Sequence, residues 1–288
     1  MIELQKRTYN LVFIACEVVF ALLLSFTVSI PYPSPKYFPL QFGLFSIVRS
    51  AATMLTVPHH ADVFGYESKL IWTVKLKRLD SQFGFVHVMN HPMSFYWARY
   101  LSTAPVRVLG SVLLSAILYP VTGLRRGFDH FMIFLLVLLL QTMTGVALSM
   151  MVSAVCARRE GLARYIAVML LKFNVVFSGT LIPLPRMNKY LRWMHFLAYG
   201  YYATIAYNQN EYNGISFANE SGIDFLEQRG LVDMTLWGSI GILSAFLIIY
   251  NLIGMLALAW HWNRELREQS KHAGFPENLS VYQRTGVA

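Results

Sequence analysis

Long apolar stretches alternate with shorter polar ones along this chain, and their lengths identify the solvent. A bilayer core of about 30 Å is crossed by about 20 apolar helical residues. Three stretches meet that measure outright: 11–30, with the single charge Glu17, and 131–152 and 235–260, with none. Three weaker stretches carry one charge each: 40–57 (Arg49), 101–119 (Arg107, near its start) and 165–182 (Lys172). The pattern predicts an all-α integral membrane bundle of six transmembrane helices. The fifth stretch ends at "FSGTLIPLP" (177–185), where Gly179, Pro183 and Pro185 stop a helix. Next comes "MNKYLRWMHFLAYGYYATIAYNQNEY", too polar to span and too apolar for a free loop. Its Trp, Phe and six Tyr suit the lipid–water interface. We expect a re-entrant outer segment between the fifth and sixth spans, covering a cavity, since broken backbone at membrane depth needs protein or water beside it. A plain interfacial helix is the alternative.

Composition supports lipid as the solvent. Only 14% of the 288 residues are charged, against about 25% in soluble domains, and 56% are hydrophobic. The net charge of +9 does not point to nucleic acid, because the Lys and Arg lie scattered between apolar runs. With the N-terminus inside, fifteen of them fall on the inner side and seven on the outer. That bias predicts both termini cytoplasmic. Asn219 then heads an outward glycosylation sequon, although Asn278-Leu-Ser280 matches as well and falls inside. The first stretch is longer than a signal-peptide core and lacks a small-residue cleavage site. Cys16 and Cys156 offer no disulfide framework.

Polar groups inside the spans are the first candidates for chemistry. A mid-bilayer charge costs about 2.5–3.5 kcal/mol, so such groups usually face the bundle interior. Glu17, Arg49, Lys172 and Asn174 form a candidate intramembrane polar network, with Gln141 and Asn251 as uncharged companions. Glu17 lies seven residues into the first span and Lys172 eight into the fifth, counted from the inner face, so a Glu17–Lys172 or Glu17–Arg49 pair is expected. Gly145, Ser149 and Ser153 repeat at four-residue spacing, a packing signal. Asn210 and Glu211 fall in the re-entrant segment. No second carboxylate or nucleophile stands near Glu211, so a structural hydrogen-bonding role is expected and no catalytic residue is assigned. His59, His60, His87 and His91 all fall inside, but Pro92 follows the last one directly. No metal site is assigned, and a membrane-bound metal-dependent enzyme stays as an alternative.

From about Ser94 to Trp260 the chain resembles the membrane domain of the ABC transporter G subfamily, the ABC-2 type transmembrane domain. Three stretches carry the likeness: "FYWARYLSTAPVRVLGSVLLSAILYPVTGL", "FSGTLIPLPRMNKYLRWMHFLAYGYYATIAYNQNEYNGISF" and "DFLEQRGLVDMTLWGSIGIL". On that resemblance residues 1–288 are one such domain. It implies an ATP-driven exporter of lipids or hydrophobic small molecules, built as a homo- or heterodimer with the cavity between the two membrane domains. It also implies Phe42, Phe45, Val176 and Phe177 as cavity wall, with Thr180 and Leu181 at the plug above. ATP and Mg are expected on a nucleotide-binding domain outside this chain, since no G-x-x-x-x-G-K-[ST] occurs and Gly-Lys never appears. Two positions depart from the family pattern. Met89-Asn90 stands where a Glu is usual, and Thr180 replaces a bulky apolar residue. A non-transporting partner subunit is a further alternative.

Overall fold

The computed structural model describes residues 92–121, 124–125, 127–157, 160–215 and 221–272, plus a few helical positions between 14 and 43. Outside the described residues lie Glu17, Phe42, Phe45, Arg49, Asn219 and the histidines 59, 60, 87 and 91. From residue 92 onward the chain forms six α-helices and, among the described residues, no strand. They are α1 (Pro92–Val121), α2 (Phe128–Val155), α3 (Glu160–Val176), α4 (Tyr199–Tyr212), α5 (Gly222–Arg229) and α6 (Leu236–His272). Short 3₁₀ turns at Leu184–Arg186 and Arg192–Leu197 join α3 to α4.

Among the described residues three helices are long and apolar enough to cross a bilayer: Pro92–Pro120, Phe128–Val155 and Leu236–Arg264. The chain is therefore read as an integral membrane protein. Predicted and observed helices differ mainly at their ends. α1 starts nine residues before the predicted 101, because Pro92 suits a first helical position and the aromatic run behind it continues the turn. Arg107 therefore lies well inside α1 and is buried, rather than at the mouth of a span. α3 stops at Val176 rather than 182. Gly179 turns the chain there with φ +75°, a left-handed conformation that favours glycine.

α2 is the central element and buries fifteen residues. Between spans in lipid there is little hydrophobic driving force, so close packing and polar ties hold helices together. Gly145, Ser149 and Ser153 are all buried on α2, as the small-residue spacing predicts. Gly254 of α6 lets α1, α2 and α6 converge: a Cβ there would stand 2.7 Å from the Tyr96 hydroxyl and 3.1 Å from the Met151 Cα. Beside that contact the Tyr96 hydroxyl donates to Asn251 Oδ1 at 3.2 Å. Ser111 on α1 donates to Thr142 on α2 at 3.3 Å. One apolar cluster, including Leu114, Leu118, Phe134, Leu138, Tyr199, Ala203 and Leu243, joins α1, α2, α4 and α6.

Candidate functional site

α4 is the unusual element. Every residue of it except Gln209 is buried, although it carries five tyrosines, four other amide or hydroxyl side chains and a carboxylate. Burying such groups is tolerable only when each finds a partner. Tyr201 donates to Asp233 Oδ2 at 3.1 Å and Tyr202 to the Phe196 carbonyl at 3.1 Å. Thr204 and Asn208 bond back to carbonyls one turn earlier, at 2.8 and 2.7 Å. Gln209 donates to the carbonyls of Leu231 and Met234 in front of α6. Burial and the neighbouring Asp233 carboxylate both push the Tyr201 phenol above its ordinary range, so it remains a donor.

Both ends of α4 are tied to other helices. At the start, Asn174 of α3 accepts from the Gly200 N–H at 3.4 Å while its own amide donates to the Leu170 carbonyl at 2.9 Å. The bond satisfies one of the backbone donors that a helix leaves open in its first turn. At the far end, α4 is clamped to the turn between α1 and α2. The Arg125 N–H donates to both Glu211 oxygens, at 2.9 and 3.1 Å, and the Arg125 guanidinium reaches the Asn213 carbonyl at 2.6 Å. Asn210 and His130 bond twice: Nδ1 to Oδ1 at 3.1 Å, and the Asn210 amide to the His130 carbonyl at 3.0 Å. Tyr119 closes the knot by donating to the Arg125 carbonyl at 2.6 Å. Burial raises the Glu211 carboxyl to about 7, with the Arg125 N–H and charge pulling the other way.

The fifth stretch, α3, has two contrasting faces. Ala163, Ala167, Leu171 and Asn174 are buried against the bundle. Leu162, Tyr165, Met169, Lys172 and Val176 are exposed. At 100° per residue the centres of these two stripes lie about 180° apart. Tyr165 and Met169 leave 74% and 67% of their surface uncovered, so no packing among the described residues accounts for that face. Lys172 and Asn174, expected in one network, lie on opposite faces of α3.

The other predicted wall residues fall at the upper end of the same helix. Phe177 stacks on Phe173 with ring centroids 4.7 Å apart. Ser178 caps the Val175 carbonyl at 2.7 Å and meets the Thr180 hydroxyl. Leu181 is exposed. Beyond it, Tyr190, Trp193, Phe196 and Leu197 present an exposed, aromatic-rich fringe. Leu184 turns inward and packs with Tyr201, Tyr202, Leu226 and Leu231 beneath α5, whose start carries a reciprocal Ser221–Asp224 capping box. The reading from sequence missed the α1–α2 turn as the partner of the clamp. Its only signal was that "GLRRGFDH" is short and polar.

These features define a class first: an apolar helical membrane domain with a buried, tyrosine-rich helix packed among its long helices. Residues 82–212 match the family of the ABC-2 type transporter membrane domain. Over that segment the chain is similar to ABC-2 type transporters, and its curated relatives include ABC transporter G family members. It is 30% identical over 170 residues to ABC transporter G family member 1 of Petunia hybrida, covering 57% of this chain and 26% of that protein. It is 26% identical over 185 residues to the broad substrate specificity ATP-binding cassette transporter ABCG2 of Bos taurus, covering 57% and 28%. It is 27% identical over 202 residues to the ABC multidrug transporter atrA of Aspergillus oryzae, covering 59% and 13%. The matched part thus spans about a quarter or less of the length of these curated relatives.

Proposed function

We propose that this chain forms half of the membrane pathway of an ABC exporter that moves lipids or other hydrophobic molecules. Two such domains, identical or not, pair so that the uncovered face of α3 looks onto a shared chamber. Phe42 and Phe45 of the second predicted span complete the wall. Val176 and Phe177 line its upper part, and Thr180 and Leu181 sit where it narrows. The α4 clamp roofs it, with the Tyr190–Leu197 fringe dipping into the outer lipid interface, the termini cytoplasmic and Asn219 outward. Asn174, Glu17 and Arg49 act as a structural polar network around the spans.

ATP hydrolysis on a nucleotide-binding domain drives a rocking of the two bundles that alternates access to the chamber. The present 288 residues hold no phosphate-binding loop sequence, so no step of hydrolysis is assigned to this chain. Its own residues supply the wall, the roof and the hinge at Gly179.

One observation supports this reading: α3 buries one stripe, tied to the start of α4 by Asn174, and leaves the opposite stripe exposed. Disulfide cross-linking tests it. With Cys16 and Cys156 replaced by serine, Val176→Cys and Met169→Cys should give a dimer on mild oxidation in native membranes. Ala167→Cys, on the packed face, should not. Monomer at all three positions would refute a chamber shared between two copies or with a like partner. Cross-linking without ATP-dependent efflux, in the presence of a nucleotide-binding partner, would favour the non-transporting subunit.

A further inference from the structure

Lys172 is the one basic side chain on the exposed α3 stripe of Leu162, Tyr165, Met169 and Val176, and the inference begins with its depth. It lies twelve residues after Glu160, about 18 Å along the helix at 1.5 Å per residue, and about 6 Å short of Val176. Facing hydrocarbon there would cost about 2.5–3.5 kcal/mol. Snorkelling offers little relief, because helical side chains lean toward the helix N-terminus, here away from the nearer end of α3. No hydrogen bond or ion pair joins Lys172 to any described residue, and α3 holds no acidic residue after Glu160. Its neighbours one turn either side on the stripe are Met169 and Val176, both apolar and exposed. A cation set in an apolar wall fits one kind of guest: a negative head on an apolar tail.

We propose that Lys172 selects anionic amphipaths, single-tailed molecules with a carboxylate-type head, as the preferred cargo of the chamber. The inference rests on the chamber reading above. The head meets the ammonium, while the tail lies along Met169, Val176 and Phe177. In a two-fold pair both copies present a Lys172 to one chamber. Two cations sharing a space of low dielectric repel, and an anionic guest relieves that repulsion. Neutral molecules of the same shape enter but gain nothing from the ammonium.

Photolabelling in nanodiscs of neutral lipid separates these statements. The probes are a diazirine-bearing sixteen-carbon fatty acid and the corresponding fatty alcohol, with adducts mapped by peptide mass spectrometry. In the wild type the acid should label the Tyr165–Phe177 peptide at least about tenfold more than the alcohol. Lys172→Met should lower the acid to the level of the alcohol, and Lys172→Arg should restore it. Equal labelling by acid and alcohol in the wild type overturns the proposal, as does unchanged acid labelling in Lys172→Met. The latter is expected if Glu17 already neutralises the lysine. If both probes label the stripe equally and excess unlabelled alcohol competes with both, the chamber stands and only the selectivity fails. If neither probe labels the stripe, the chamber reading fails with it.

Discussion

Replacing Glu211 by Gln isolates the electrostatic content of the roof clamp. Glu211 is almost wholly buried, and its carboxyl is raised from 4.5 to about 7 by that burial. The facing groups are the Arg125 N–H and guanidinium, the Tyr212 phenol, the Arg229 charge beyond it, and the Asn210–His130 pair alongside. A folded-state value above the unfolded one means that the folded protein holds the proton longer. Stability is therefore full below about pH 4.5, declines as pH rises toward 7 and levels off above it. At about 1.4 kcal/mol for each tenfold change in acidity, the gap amounts to about 3 kcal/mol. Glutamine keeps an acceptor for the Arg125 N–H and carries no charge. The variant should match the wild type near pH 5 and unfold several degrees later near pH 8, at roughly 2–4 °C per kcal/mol. Thermal unfolding in nanodiscs at four values between pH 5 and 8.5 reads this directly. Equal destabilisation of Glu211→Gln at every pH would refute the reasoning, because it would mean that the ionised carboxylate stabilises the clamp.

Three further perturbations follow from the same geometry. Gly254→Val should separate α1, α2 and α6 and lower the melting temperature sharply, since even the first added carbon meets the Met151 backbone at 3.1 Å; unchanged melting would contradict the close approach. Gly179→Ala, at φ +75°, should lose about 1 kcal/mol and slow any efflux, whereas neither change would show that the turn is not held there. Tyr201→Phe removes the bond to Asp233 and should cost about 1 kcal/mol in thermal unfolding, with no cost if Asp233 finds a new donor.

What the sequence disclosed follows from the physics of each signal. The runs at 131–152 and 235–260 are long, apolar and uncharged, so α2 and α6 were legible to within a few residues at most of their ends. The end of the fifth stretch was placed in the right region because glycine and proline act locally. The start of α1 was not legible, since Arg99 and the preceding polar run masked a helix that packing sustains. Glu211 read as a hydrogen-bonding residue because nothing catalytic stood near it. Its partner was hidden, because a main-chain N–H eighty-six residues away leaves no mark in composition. Lys172 looked like a network member from its depth alone. Its register relative to Ala163, Ala167 and Leu171 places it on the exposed stripe of α3, opposite Asn174, while its expected partners Glu17 and Arg49 lie outside the described residues.

Substituted-cysteine accessibility along α3 tests the central claim most directly. Cysteines placed singly from 162 to 177, in a background free of Cys16 and Cys156, are treated in native membranes with a charged, water-soluble thiol reagent. The account predicts reaction at 165, 169, 172 and 176 and protection at 163, 167 and 171. Protection throughout, with reaction only toward a lipid-soluble reagent, would mean that the open stripe faces hydrocarbon and that no chamber lies beneath the roof.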